Sequence, residues 1–204
     1  MTKIFLYNLM IISFLLSSCS TEVTTTTAAA ITYPTSFSGD TASGSMTVGS
    51  DSFSGTYMSM CAPTAGVGGP TDSTHVGFII IVKSAKTFTK EINYYTDSAC
   101  TTLSLGWYSS YDTPVIGDAS GTAYQFSYNL VGYDFFAAST TSETYIEEAF
   151  GNIFDVTVGT KYNFPIAASY KNLIEISGTS VYFGTESASA YPTSTDTTIA
   201  FVQQ

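Results

Sequence analysis

Three cysteines, one histidine and sixteen acidic residues are the groups in this 204-residue chain most able to do chemistry. Their spacing argues against a catalyst. Nucleophilic catalysis needs a serine or cysteine with a base beside it. His75 is the only imidazole, and it lies between Thr74 and Val76 at the start of an apolar run. No Gly-x-Ser-x-Gly elbow occurs. The glycine-rich stretch AGVGGPTDS (65–73) lacks the Lys-Ser/Thr pair and the helix of a phosphate cradle, so it reads as a loop. The Asp residues do not fall at calcium-loop spacing. Glu147 and Glu148 point to different sides of any helix they share. No catalytic residue, no metal site and no cofactor is expected. Acids outnumber lysines sixteen to six, no arginine occurs, and the formal charge is −10. That balance disfavours nucleic acid, whose affinity comes mostly from phosphate neutralisation. An acidic surface keeps a domain soluble.

Cys19 has neighbours unlike those of the other two cysteines. Met1-Thr2-Lys3 supplies one positive charge and IFLYNLMIISFLL an apolar core, which is shorter than the about 20 residues that span a bilayer. The run ends in small residues and reads as a secretory signal. Leu16-Ser17-Ser18-Cys19 resembles the lipobox of bacterial lipoproteins: an aliphatic residue, two small residues, then cysteine. The resemblance implies a diacylglycerol on the Cys19 sulfur, cleavage before it and N-acylation. Residues 1–18 are then the signal peptide. Several acyl chains at one point give stable anchoring, since each buried CH₂ contributes about 0.8 kcal/mol. Ser20 follows the cysteine, where Asp would suggest inner-membrane retention in enteric-type bacteria. The expected location is the bacterial cell envelope, outer membrane favoured, with the membrane as a partner through the lipid.

Residues 20–50 are dominated by Thr, Ser, Ala and Gly and offer little apolar surface to offset ordering entropy. With Cys19 they read as a flexible tether over 19–50, leaving 51–204 as one domain with a core of its own. Strand candidates there are short and separated by turn residues: 52–60, 74–82, 86–96, 102–111, 122–132, 153–158, 172–176, 180–186 and 197–204. The clearest is 122–132, where Tyr124, Phe126, Tyr128 and Leu130 alternate with Gln125, Ser127 and Asn129. Only 142–150 has helical character, with Ser142 as its cap and acids near its positive end. The pattern predicts an all-β fold, an antiparallel barrel or a β-sandwich, with at most one short helix.

With Cys19 lipidated, Cys61 and Cys100 remain as an even pair in an oxidising compartment, which suggests a disulfide. A metal site with His75 and two free thiols are the alternatives. In YTDSAC (95–100), the Asp97 and Ser98 side chains can hold a turn by bonding nearby backbone N–H groups, so Asp97 reads as structural.

Gly55-Thr56-Tyr57 before Cys61, Tyr95-Thr96-Asp97-Ser98-Ala99-Cys100, and Val181-Tyr182-Phe183-Gly184 together resemble a recurrent pattern. It belongs to uncharacterised bacterial lipoproteins with lipocalin-like, calycin-type barrels, and it covers the chain from about residue 53 onward. The resemblance implies a single up-and-down β-barrel of about eight strands. Members often carry an Arg before the proline after the last hairpin; here Tyr191 precedes Pro192. The family's lock of Arg over a first-strand Trp is therefore absent or replaced by stacked tyrosines. Barrels of this size either fill with side chains or hold one small ligand. Inward Tyr124, Phe126 and Tyr128 are candidates to line an apolar ligand pocket. Trp107, Tyr108 and Tyr111 are candidates for an outward patch that contacts protein or glycan. The expected function is a lipocalin-like module binding a small apolar ligand. The alternative is a surface interaction or structural lipoprotein with a packed barrel.

Overall fold

The computed structural model describes residues 33–34, 36–65, 67–153 and 155–204. The signal peptide, Cys19 and the tether up to residue 32 lie outside the described residues. Eleven strands and one helix follow in order: β1 (Ser45–Val48), β2 (Asp51–Ser54), β3 (Thr56–Met58), β4 (Ala62–Pro63), β5 (His75–Ser84), β6 (Thr87–Tyr95), β7 (Leu103–Ser120), β8 (Ala123–Ala137), α1 (Thr140–Ala149), β9 (Lys161–Ser177), β10 (Ser180–Gly184) and β11 (Thr195–Gln203).

Strands β5 to β11 pair each with the next, all antiparallel, and β3 then joins β11 to β5. The hydrogen-bonded ring of eight strands is barrel-like, the closed one of the two architectures that the alternating pattern and the turn spacing left open. Strand β4 prolongs the line of β3 along β5. Closure is what removes exposed sheet edges from such a fold.

Inside the ring the strands project rings toward one another. Phe88 of β6 stacks on Tyr111 of β7 at 4.7 Å between centroids, and Phe126 and Tyr128 of β8 meet both sides of that stack. Phe183 of β10 and Phe201 of β11 complete the circuit. The hairpin β1–β2 closes one end: Met46, Val48 and Phe53 are buried in the same cluster as Tyr57, Phe126 and Val181. Gly49 in its turn, with φ of 61°, lies so close to the Tyr124 hydroxyl that a side chain there would collide with it. The opposite end carries the Cys61–Cys100 disulfide, α1 and the long connections.

Three local expectations are corrected. Residues 36–50 are not a free tether: they pack on the barrel wall and then form β1. The stretch 153–158 forms no strand among its described residues, because Gly151 and Asn152 take left-handed backbone and Val156 N–H bonds the Glu147 carboxylate instead of a neighbouring strand. The helix cap is Ser139, whose hydroxyl accepts from Ser142 N–H; Ser142 is buried and donates to the Ser104 carbonyl. The ladder also runs further than expected in β7, past Pro114, and in β9, which begins at Lys161. Pro165 is tolerated in β9 because it faces Gly132 beside a bulge.

Candidate functional site

Alternation along β6 decides what enters the barrel. Phe88 and Tyr94 point inward, so Lys90 and Ile92 do too, while Thr89, Glu91 and Asn93 point outward. Lys90 is thus a cation inside an aromatic interior. It is met by Glu186, which reaches in from the segment after β10: Nζ and Oε1 lie 3.4 Å apart, with the side chains 29% and 28% exposed. The Tyr128 hydroxyl donates to the same carboxylate oxygen at 2.7 Å, and Asn172 Nδ2 donates to that hydroxyl at 3.2 Å. Burial first, then the Glu186 charge, pushes the hydroxyls of Tyr111, Tyr128 and Tyr170 above the ordinary tyrosine value. Tyr133 is raised by burial, by Tyr170 and by Glu186. Of these hydroxyls, that of Tyr128 donates directly to the carboxylate. The cluster is an ion pair with a hydrogen-bond donor of its own in Tyr128.

Phe126 and Tyr128 point inward as expected, and Tyr124 packs half-buried at their end of the barrel. They fill space: Phe126 and Tyr128 are 4.8 Å apart between ring centroids and both touch Phe88. Two concavities among the described residues open to solvent. One, about 330 Å³, lies between Pro70–Thr71 and α1; the other, about 310 Å³, is lined by Val115, Tyr128, Tyr170 and Ala188 together with polar residues of β7 to β9.

The expected outward patch of Trp107, Tyr108 and Tyr111 does not exist. Trp107 faces inward and meets Tyr133, Phe135 and Phe150. Tyr111 is in the central stack. Tyr108 does face outward, yet it is buried, because the N-terminal segment lies on it.

That segment is the feature the sequence reading missed. Pro34 sits against Gly77 of β5 and Phe37 against Gly106 of β7; an added Cβ would lie 2.6 Å from either ring. Asn93 of β6 lies in register between these notches, and Glu91, two residues before it on the same face, is fully buried. Its carboxylate accepts from Ser36 Oγ at 2.6 Å, Phe37 N–H at 3.1 Å, Asn93 Nδ2 at 2.9 Å and Ser38 Oγ. Asp40 then binds Lys83 at 2.8 Å and accepts from the Tyr108 hydroxyl. Burial pushes the Asp40 carboxyl up, but Lys83 and Tyr108 outweigh it and hold it below the ordinary range. Ser43 and Gly44 donate to the Val82 carbonyl before the chain turns into β1. Pro34 and residues 36–44 form a strap over β5, β6 and β7.

At the disulfide end, Cys61 and Cys100 are bonded with Cα atoms 6.2 Å apart. Asp97 accepts from the backbone N–H groups of Thr102, Ala99 and Thr101. Those bonds, led by Thr102, bring its carboxyl down to about 2. The residue presents the cysteine turn, as its position in YTDSAC suggested. No protein-family model matches the chain, and no curated protein matches it.

Proposed function

We propose that the chain is a lipid-anchored lipoprotein of the bacterial envelope that acts through its surface, its barrel being a packed scaffold that meets an envelope protein or glycan. The lipobox-like Leu16–Cys19 supports the anchor. The observation that carries the surface reading is the ring cluster across the barrel, with Phe88 and Tyr128 touching each other and each touching Tyr111 and Phe126, and the β1–β2 hairpin closing one end. A ligand of drug or fatty-acid size needs roughly 300–1,000 Å³ of concave space; rings occupy the interior between β6, β7 and β8, and the two concavities that reach this size open to solvent.

The test is a titration of the full chain with a fluorescent fatty acid, beside Phe126→Ala. The wild type shows no saturable binding. Phe126→Ala, which opens a dry apolar void, gains it. Stoichiometric uptake by the wild type, or lipid that stays bound in native mass spectrometry, overturns the reading in favour of an internal apolar ligand.

A further inference from the structure

We propose that the disulfide-bearing end of the barrel stands on the bilayer that holds Cys19, with Ile153 and Val158 dipping into zwitterionic lipid. The proposal rests on the anchor reading above.

The strap sets where the chain leaves the folded body. Pro34 is buried against Gly77, close to the start of β5, and the Glu91 clamp over residues 36–38 holds that exit in place. The start of β5 belongs to the end that carries the Cys61–Cys100 link. Pro34 lies 15 positions after Cys19, and 15 residues cannot span more than about 50 Å. The same end holds three of the five large apolar side chains exposed among the described residues: Met60, Ile153 at 68% and Val158 at 38%. The other two, Val115 and Val131, lie on β7 and β8. The far end is closed by β1–β2.

The loop that carries Ile153 and Val158 is anchored at both sides of its tip. Gly151 and Asn152, at φ of 69° and 56°, turn the backbone out of α1. Val156 is buried and its N–H donates to the Glu147 carboxylate at 2.9 Å; Gly159 N–H donates to the Ala137 carbonyl at 2.8 Å. Ile153 and Val158 therefore project from a loop tied down between them, as a wedge does. Nearby exposed Glu148 and Asp155, on a chain of charge −10, repel anionic headgroups. That selects a neutral bilayer surface.

The experiment places a single environment-sensitive fluorophore on the lipidated full chain in vesicles of phosphatidylethanolamine and phosphatidylcholine. With Cys19 acylated and Cys61 bonded to Cys100, Ile153→Cys, Val158→Cys and Ser120→Cys each supply the one free thiol. The expected result is a blue-shifted emission at positions 153 and 158, at least twofold brighter than at 120 and quenched by spin-labelled lipid. Adding anionic lipid weakens it. Emission at 153 and 158 no different from that at 120 overturns the proposal. The mass of the N-terminal peptide decides the acylation of Cys19 separately, so a failed anchor and a wrong orientation give different results.

Discussion

Glu91→Ala tests whether the strap is bound by its buried carboxylate. Glu91 is fully buried and accepts four hydrogen bonds, three of them from residues 36–38. A hydrogen bond to a charged group contributes about 1.5–3 kcal/mol net, and a buried donor left alone costs about 1–3 kcal/mol. Two effects reduce the sum. Removing the carboxylate also removes the cost of keeping it dry, and the strap can lift so that its three donors meet water. The expected loss is about 2–4 kcal/mol, in the range of a broken buried network. For a protein of this size that lowers the melting temperature by roughly 5–15 °C. Urea unfolding gives the global figure, and amide exchange locates it: Phe37, Ser43 and Gly44 N–H groups, now bonded to Glu91 and Val82, lose protection first. Gly106→Val reaches the same state by steric means, since its Cβ would meet the Phe37 ring at 2.6 Å while Glu91 stays in place. If Glu91→Ala costs under about 0.5 kcal/mol and those amides stay protected, the strap is held by something else and the argument fails.

Replacing Cys61 and Cys100 together by Ala, measured by urea unfolding, costs up to about 4 kcal/mol for a loop of 39 residues on the chain-entropy account. Seven tyrosines (57, 94, 108, 111, 128, 133 and 170) have hydroxyls raised, chiefly by burial. A raised folded value means that stability is intact below the unfolded tyrosine value of about 10 and falls as pH climbs above it. Tyrosinate absorbance should then appear together with loss of the near-ultraviolet circular dichroism of the ring stack, whereas a smooth titration with that signal unchanged contradicts the burial. Asp97 has the opposite sign: its carboxyl is held at about 2, so its contribution is present above the ordinary Asp value of about 3.9 and fades as pH falls toward 2. Asp97→Ala should remove that acid dependence, read as the difference between the two proteins' urea midpoints across this window.

Much of the wall was legible because period-two alternation is a local property. Phe126 and Tyr128 face inward as the pattern of 122–132 requires, and the same rule applied to KTFTKEINYY places Lys90 on the apolar face. Its ion partner was not legible, since Glu186 arrives from 96 positions away. The strap failed for a related reason. Pro34 and residues 36–44 carry few apolar side chains in sequence; they are held by notches at Gly77 and Gly106 and by a carboxylate more than 50 positions distant. One hint was present. His75–Ser84 contains Ile79-Ile80-Ile81-Val82 without a polar break, and an unbroken apolar run marks a strand covered on both faces. In a barrel with a wetted exterior, such a run asks for an external cover. Tyr108 misled for the same reason: outward on β7 suggested exposed, but the cover was already in place.

The strap and hairpin also bear on how the ring stays shut. The seam between β3 and β11 is the shortest ladder in the ring, with Met58 opposite Val202 and Tyr57 opposite Gln203. Gln203 Nε2 donates to the Ser54 carbonyl and Gln204 N–H to the Thr56 carbonyl, so the residues entering β3 lengthen the seam. Those residues follow directly from β2, whose Phe53 is fixed among Tyr57 and Phe183 inside the barrel. Tension applied to the chain ahead of Pro34 therefore meets the Glu91 clamp, then the Asp40–Lys83 pair, then the β1–β2 hairpin, before it reaches the seam. A body whose weakest ladder begins at its N-terminal side needs such a sequence of holds if it is pulled from that side. A flexible tether running directly into β3 would deliver the load to two residue pairs. Pro34 and residues 36–54 thus place the clamp, the ion pair and the hairpin between the N-terminal side of the chain and its shortest seam.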